Sequence, residues 1–235
     1  MSTLSSLDRH HGNDPHGETQ VVLAGANLDA AHAAVVFIHG RGATAESILR
    51  LIAPLAPESV ALIAPQARGR TWYPNSFLAA LEDNEPGLSS GLRRIGSLLD
   101  TLNATYSIPT DRIMIGGFSQ GACLSTEYAA RFPTRYGGII GLSGGLIGNG
   151  MIPNEDPPND KQFNYDGDFE ETPVFLGCSD RDPHIPQKRV DDTAAVFRNL
   201  NASVDKRIYE GMGHIVNDDE RKSVQELLAR LAEPA

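Results

Sequence analysis

Five short apolar runs, separated by polar and helical stretches, constrain the fold of this chain more than any other feature. The runs are nearly continuous in hydrophobicity, which is typical of parallel strands buried on both faces. They cover residues 34–40, 60–66, 112–118, 138–144 and 174–180, and residues 204–210 are interpreted as the last strand. Since strand–helix alternation builds a mostly parallel sheet with helices on both faces, we predict an α/β fold. Ligands of such sheets bind at the carboxyl ends of the strands, so chemistry is expected directly after the runs.

The segments between the runs carry helical patterns. One helix is predicted from about residue 44 to 54, and the final helix is predicted to begin after Asn217, a residue type that caps helix N-termini. A longer helix shows one apolar stripe at helical spacing, formed by Leu92, Ile95, Leu98, Leu99 and Leu102. These helices are expected to cover the two faces of the sheet.

The length of 235 residues fits one α/β domain better than two. Residues 1–18 are polar and turn-rich, so we expect a loose lead-in there and a single domain over residues 19–235. No apolar run approaches the roughly 18 residues of a membrane-spanning helix, and no signal-peptide pattern is present at the start. The two cysteines, Cys123 and Cys178, do not suggest a disulfide framework, so a cytoplasmic location is predicted.

The chain is acidic, with 20 Lys and Arg against 30 Asp and Glu and a net charge of −10. This balance argues against nucleic acid and anionic membranes as partners, because both bind through concentrated positive charge. Residues 154–171 contain seven acidic residues and one basic residue, Lys161, so this segment holds more than half of the net charge. We interpret it either as a solvated loop or as an acidic rim that disfavours anionic substrates.

A G-x-S-x-G motif at residues 117–121 lies where an apolar run ends and a helical stretch begins. This is the position of a nucleophile elbow, a sharp turn that exposes a serine above the sheet. The glycines on either side are needed because a strained turn brings their neighbours close together. Ser119 is therefore the predicted nucleophile, and an accidental glycine-rich turn is the alternative.

A serine nucleophile needs a histidine base and a carboxylate that follow it in chain order in this type of fold. Two carboxylates, Asp180 and Asp182, come directly after the run at 174–180. Of the seven histidines, His214 combines the right order with a loop framed by glycines, whereas His184 stands too near the carboxylates in sequence. The histidines of the lead-in are interpreted as a solvated tail rather than as a metal site; these are His10, His11 and His16. We expect no metal and no cofactor.

Acyl transfer also needs two backbone N–H groups directed at the developing oxyanion. One is expected from Gln120, the residue after the serine, and the other from Arg41 in the sequence HGRGA at residues 39–43. A phosphate-binding loop is the alternative for HGRGA, but no P-loop or dinucleotide motif accompanies it.

With HGRGA, GFSQGA, SDRDPHIP and GMGHIVNDDE in order, the chain resembles the phospholipase/carboxylesterase family of α/β-hydrolases. The resemblance covers about residues 33–231 and implies an α/β-hydrolase fold without a large cap. It implies the roles of nucleophile for Ser119, base for His214, acid for Asp182 rather than Asp180, and oxyanion donors for Arg41 and Gln120. Two departures concern substrate range: Cys178-Ser179 replaces a common His-Gly pair, and the stretch after residue 143 is longer.

The resemblance and the motifs predict a serine carboxylesterase that acts on short- to medium-chain esters. A lysophospholipase, an acyl thioesterase and a non-hydrolytic binding protein of the same fold are the alternatives. Trp72, Phe77 and Leu78 are predicted to line an acyl groove, with plain packing as the other interpretation. The sequence leaves open whether two copies form a homodimer.

Overall fold

A single seven-stranded sheet forms the centre of the protein, whose computed structural model describes residues 14–148 and 163–233. The strand order is β1-β3-β2-β4-β5-β6-β7; β1 runs antiparallel to β3 and every other neighbouring pair is parallel. The strands are β1 Val21–Gly25, β2 Ala33–Ile38, β3 Val60–Pro65, β4 Ile113–Phe118, β5 Gly138–Leu142, β6 Pro173–Ser179 and β7 Ser203–Tyr209. The six predicted strands are thus confirmed, with ends that differ by one or two residues.

Within the described residues, five α-helices cover the two faces of the sheet, as the alternation predicts. They are α1 Ala45–Ile52, α2 Gly87–Tyr106, α3 Gln120–Arg131, α4 Gln187–Asn199 and α5 Asp218–Ala232. One buried hydrophobic cluster joins the sheet to α2, α3 and α4, and a second joins it to α1 and α5. The mostly parallel sheet with helices on both faces confirms the predicted fold class.

Side-chain caps fix where two of the helices begin. Thr44 accepts a hydrogen bond from the Ser47 amide before α1, and Asn217 accepts one from the Glu220 amide before α5. In both cases the capped residue's side chain returns a bond to the N–H of the cap, so two donors without helical partners are satisfied at once. The helix start after Asn217 follows from the sequence for this reason.

Residues 14–32, which precede β2, are more ordered than the sequence suggests. Strand β1 was not predicted, because its five residues stand beside polar stretches and give no clear period. The expectation of a loose lead-in is wrong for residues 14–18. His16 is 2 % exposed, its N–H donates to Ser90 Oγ at 2.8 Å, and its ring lies between the Trp72 carbonyl (2.9 Å) and the Arg68 amide (3.1 Å). The solvated-tail interpretation therefore fails for His16, while His10 and His11 lie outside the described residues.

Within the described ranges, no helix combines the length and the apolar character needed to cross a bilayer. Of the acidic segment 154–171, residues 154–162 lie outside the described part of the chain. The acidic-rim interpretation therefore stays a prediction.

Candidate active site

Ser119 occupies a strained turn between β4 and α3. Its backbone angles are φ 58° and ψ −122°, a conformation that L-residues other than glycine rarely adopt. A Cβ atom on Gly117 would lie 2.5 Å from the Gly121 carbonyl carbon, and one on Gly121 would lie 2.5 Å from the carbonyl carbon of Ile38 in β2. Both positions therefore require glycine, which is the physical content of the G-x-S-x-G motif.

Three side chains from separate loops meet at the carboxyl end of the sheet. His214 Nε2 lies 2.8 Å from Ser119 Oγ, and His214 Nδ1 lies 2.7 Å from Asp182 Oδ2. The Asp182 side chain is fully buried and that of His214 is 18 % exposed. The predicted serine, histidine and carboxylate are thus brought together in hydrogen-bonding geometry.

The second carboxylate, Asp180, holds the histidine loop rather than the histidine. Its Oδ1 accepts a hydrogen bond from the Gly211 amide at 2.7 Å. Gly211 and Gly213 have φ values of 63° and 77°, so the loop that carries His214 depends on residues that tolerate the left-handed region. The choice of Asp182, which the resemblance implied, agrees with this geometry.

Asp182 accepts bonds on both of its oxygens. Oδ2 faces His214, and Oδ1 accepts from the backbone amides of His184 at 2.8 Å and Ile185 at 3.0 Å. Burial alone would raise the pKa of this carboxyl group, but the hydrogen bonds from His214 and the two amides outweigh it and lower the pKa. Because an ionised carboxylate only accepts, the proton of the neutral imidazole is on Nδ1, which leaves Nε2 to accept from the serine hydroxyl.

The loop after β2 and the start of α3 bring backbone N–H groups close to the serine. A Cβ atom on Gly40 would lie 3.3 Å from Ser119 Cβ, so the loop passes directly beside the nucleophile candidate. Among the hydrogen bonds of the described residues, the amide N–H groups of Arg41 and Gln120 donate to no protein acceptor. Both are therefore available to a ligand oxygen near Ser119.

The His39 side chain holds this loop in place through hydrogen bonds and makes no contact with Ser119, His214 or Asp182 among the hydrogen bonds of the described residues. Its Nδ1 lies 2.8 Å from the Gly40 carbonyl, and its Nε2 accepts from the Ala67 amide at 3.0 Å. The side chain is fully buried, and burial lowers its pKa, so the ring stays neutral and keeps both bonds. The sequence marked this histidine only as the end of a strand.

The side chains of the two donor residues have a further task that sequence reasoning missed. Arg41 donates to the carbonyls of Tyr73, Pro74 and Asn75 at 2.6–2.9 Å. The Gln120 amide group donates to the Tyr73 carbonyl and accepts from the Trp72 amide, each at 2.9 Å. Hydrogen bonds therefore join the loop at residues 39–43, the turn at Ser119 and the loop at residues 72–75.

A cavity of about 470 Å³ opens beside Ser119 and His214. Phe77 lines it, as predicted, together with Tyr73, Cys123, His184 and Ile185. The prediction for Trp72 is wrong: this side chain is fully buried and donates its indole N–H to the His39 carbonyl at 2.9 Å. The prediction for Leu78 is also wrong, because this residue packs against the hydrophobic core and is not among those that line the cavity.

Neither cysteine forms a disulfide. Cys178 lies beneath the candidate acid, with Sγ 3.9 Å from Asp182 Oδ2, and burial raises its pKa to about 12. In the part of the chain that the structure describes, no three His, Cys, Asp or Glu side chains are grouped so that they could hold a metal ion. The site therefore presents a serine, a histidine, a carboxylate and two backbone donors beside a cavity with both polar and apolar lining residues.

A mostly parallel sheet that carries such a serine on the strained turn after a central strand, with a histidine and a carboxylate at the same edge, defines an α/β-hydrolase. The particular family follows from comparison with known proteins. Residues 19–232 match the family described as Phospholipase/Carboxylesterase, and the chain belongs to this family.

Relatives and solved structures agree with this membership. The chain is 24 % identical over 227 residues to acyl-protein thioesterase 1 of Candida albicans, covering 88 % of this chain and 96 % of the relative. It is 29 % identical over 210 residues to acyl-protein thioesterase 1 of Schizosaccharomyces pombe, covering 82 % and 88 %. The structure of a phospholipase/carboxylesterase from Dyadobacter fermentans superposes with a TM-score of 0.81 at 37 % identity, covering 90 % of this chain and 97 % of the other. The protein is therefore a member of this family and a hydrolase that acts on esters or thioesters.

Proposed function

We propose that this protein is a serine carboxylesterase that hydrolyses short- to medium-chain esters through an acyl-enzyme on Ser119. The observation that carries the proposal is the pair of short contacts from His214, 2.8 Å to the serine hydroxyl and 2.7 Å to Asp182. A histidine held in this tautomer can remove the serine proton during attack. An isolated serine hydroxyl is a weak nucleophile near neutral pH because no base takes its proton.

In the proposed mechanism, Ser119 Oγ attacks the ester carbonyl carbon while its proton moves to His214 Nε2. The tetrahedral intermediate then collapses, the bond to the leaving alcohol breaks, and the proton on Nε2 passes to that alcohol. A water molecule, deprotonated by the same nitrogen, attacks the acyl-enzyme; the bond from the acyl carbon to Ser119 Oγ then breaks, Nε2 returns the proton to Oγ, and the acid is released. Asp182 keeps the imidazole in the required tautomer and stabilises its cationic form.

The amides of Arg41 and Gln120 are proposed to hold the oxyanion in both tetrahedral intermediates. They are suited to this because the bonds of their side chains and of His39 fix the two loops before substrate arrives. Donors that need no reorganisation during the reaction stabilise developing charge most effectively. The cavity of about 470 Å³ beside them supports acyl chains of short to medium length.

An acyl thioesterase is the second candidate, because both relatives compared above are acyl-protein thioesterases. The same three side chains attack a thioester carbonyl, so the site alone does not choose between the two. A lysophospholipase stays a further alternative within the family, and a non-hydrolytic binder is disfavoured by the short serine–histidine contact. A cytoplasmic location stays a prediction, as does the absence of nucleic-acid partners; oligomeric state stays open.

Two measurements test the proposal. Fluorophosphonate labelling is expected for the wild type and for Ser97→Ala, an exposed serine on α2, and is expected to disappear in Ser119→Ala. A p-nitrophenyl ester series of rising chain length, run beside matched thioesters, then defines the substrate. An unlabelled wild type would contradict the serine mechanism, and a kcat/KM that favours thioesters over matched esters would move the assignment to the second candidate.

A further inference from the structure

The loop that carries His214 receives little support from packing on its first half. It covers residues 210–217, between β7 and α5. A Cβ atom on Gly211 or Gly213 would meet nothing within 4 Å, so both glycines face open space. Of the backbone amides of residues 211–216, those of Gly211 and Gly213 alone donate to protein acceptors within the described part of the chain. Two hydrogen bonds thus hold the part of the loop that leads to His214.

Both bonds go to side chains at the end of β6. The backbone pairing of β6 with β7 reaches Ser179 and Tyr209, and the Asp180 amide then donates to the Tyr209 carbonyl at 3.1 Å. Beyond this point, side-chain oxygens replace backbone carbonyls as acceptors. Asp180 Oδ1 accepts from the Gly211 amide at 2.7 Å, and Ser179 Oγ accepts from the Gly213 amide at 3.1 Å. The two side chains therefore extend the ladder as far as the residue that precedes the base.

The Ser179 hydroxyl joins the loop of the acid to the loop of the base. The residue is fully buried, and its Oγ also accepts from the Arg181 amide at 3.1 Å. Arg181 directly precedes Asp182 in the chain. Gly213 precedes His214 in the same way. One oxygen atom thus binds the residue before each of the two partners, whose side chains meet at 2.7 Å.

Loss of this oxygen would release both amides at once. Water can replace the acceptor at the half-buried Gly213, but a water molecule does not hold two loops at a fixed distance. The loop of His214 then samples positions in which Nε2 lies too far from Ser119 Oγ. Such positions are unproductive, because a general base must lie about 2.6–3.2 Å from the group whose proton it removes.

Serine at this position is one of the two departures from the family pattern. Cys178-Ser179 stands where a His-Gly pair is common, and glycine has no side chain that could accept these bonds. Neither residue lines the cavity beside Ser119. The departure at residue 179 therefore concerns the placement of the base.

We propose that Ser179 is a positioning residue, whose hydroxyl holds the loop of His214 at hydrogen-bonding distance from the nucleophile and the acid. Ser179 touches neither the substrate nor the reacting atoms, and it acts through the two amides that donate to it. The inference rests on the proposed esterase function, since a base has a task only if Ser119 is the nucleophile.

The test compares Ser179→Ala with Thr172→Val in the hydrolysis of p-nitrophenyl butyrate at 25 °C. Thr172 directly precedes β6, at the end of the strand opposite to Ser179, and is also fully buried. Its Oγ1 accepts from the Tyr136 amide at 2.9 Å, so each variant removes one buried hydroxyl acceptor.

We expect Ser179→Ala to lower kcat by about three- to tenfold, which is the value of a hydrogen bond between neutral groups. KM is expected to change by less than about twofold, because substrate binding does not involve the loop bond. Thr172→Val is expected to keep the wild-type kcat, although both variants lower the temperature of unfolding. Ser179→Gly, which restores the residue common in the family, is a second variant for which the same loss of kcat is expected.

A second measurement follows the position of His214 without catalysis. The proton between His214 Nδ1 and Asp182 gives a strongly deshielded NMR signal, and this signal broadens when local opening lets water exchange with the proton. The signal of Ser179→Ala is expected to be broader than that of the wild type. Thr172→Val is expected to keep the wild-type linewidth, because its lost bond lies at the other end of the sheet.

The outcomes separate this inference from the proposed function. An unchanged kcat in Ser179→Ala, an equal loss in Thr172→Val, or a lower kcat with an unaltered NMR signal would overturn the positioning role and leave the esterase in place. If the wild type hydrolyses no ester and Ser119 is not labelled by fluorophosphonate, the esterase proposal fails instead. The NMR comparison needs no substrate, so it tests the role of Ser179 in that case as well.

Discussion

Replacing Asp182 with asparagine tests the proposed mechanism most sharply, because the structure dictates how the new amide must lie. Asp182 Oδ1 accepts two backbone N–H groups, from His184 and Ile185, while Oδ2 faces the ring of His214. An asparagine keeps the two backbone bonds only if its oxygen takes the Oδ1 position. Its NH₂ group then points at His214 Nδ1, and this nitrogen must become an acceptor.

The imidazole proton therefore moves to Nε2, where it points at Ser119 and blocks removal of the serine proton. Turning the amide over would restore the working tautomer, but its NH₂ group would then face the N–H groups of His184 and Ile185, which would lose their acceptor at about 1–3 kcal/mol each. The active form of Asp182→Asn is thus disfavoured by about 2–6 kcal/mol. At 1.36 kcal/mol per factor of ten, this corresponds to a loss of about 30-fold to 10⁴-fold in kcat/KM.

The assay is the steady-state hydrolysis of p-nitrophenyl butyrate at pH 7.5, with thermal unfolding measured on the same samples. Asp180→Asn is the matched control, because Asp180 accepts only the Gly211 amide among backbone donors and an asparagine oxygen can still do so. We expect that control to lose much less activity than Asp182→Asn. If Asp182→Asn unfolds like the wild type and keeps more than about a third of its kcat/KM, the tautomer argument is refuted.

Three other predictions follow from the packing around the site. Gly121→Ala places a Cβ atom 2.5 Å from the Ile38 carbonyl carbon and should lower the free energy of unfolding by about 1–3 kcal/mol or more. Gly96→Ala should not lower it, because its Cβ atom meets only the Tyr128 side chain at 3.4 Å. Urea titration of the two variants compares their free energies of unfolding. Arg41→Ala removes three bonds to the 73–75 loop and should reduce kcat/KM by about tenfold while leaving fluorophosphonate labelling of the serine detectable; undiminished kcat/KM would contradict the role of that side chain. Burial lowers the pKa of His16, so at mildly acidic pH this ring is protonated in the unfolded chain and neutral in the folded one. The free energy of unfolding should therefore fall as the pH drops below about 6.5. His16→Gln should make this fall smaller. Burial raises the pKa of Glu220 to about 7, which changes stability with pH in the opposite sense, but this contribution is the same in both proteins and cancels in their comparison.

Strands β2 to β7, two helix starts and the turn at Ser119 could be predicted because each depends largely on residues close together in sequence. An apolar run long enough to be buried on both faces specifies a parallel strand wherever it occurs. Asn217 with Glu220 three residues later satisfies local donors, and it does so independently of the rest of the fold. A Cβ atom on Gly117 would meet Gly121 within the same turn, so the motif indicated Ser119 before any distance was known, whereas the crowding of Gly121 by Ile38 of β2 is a tertiary contact.

Trp72 and Tyr73 show where such reasoning fails. Both are aromatic, adjacent and nearly fully buried, and only the second reaches the cavity. The difference arises from partners far away in the chain, since Trp72 Nε1 bonds to the carbonyl of His39 while Arg41 and Gln120 hold the carbonyl of Tyr73. A loop has no period that assigns its side chains to one face, so composition could not separate the two residues.

The sequence by itself determined the chain order of strands β2 to β7, the glycine-dependent turn at Ser119, and the chain order of serine, carboxylate and histidine. The tertiary structure alone decided which carboxylate oxygen faces His214, that His16 is buried, and that Tyr73 rather than Trp72 lines the cavity. The first set depends on steric crowding and hydrogen bonding within a few residues. The second depends on which distant surfaces come together when the sheet and its helices pack, and no short stretch of sequence contains that information.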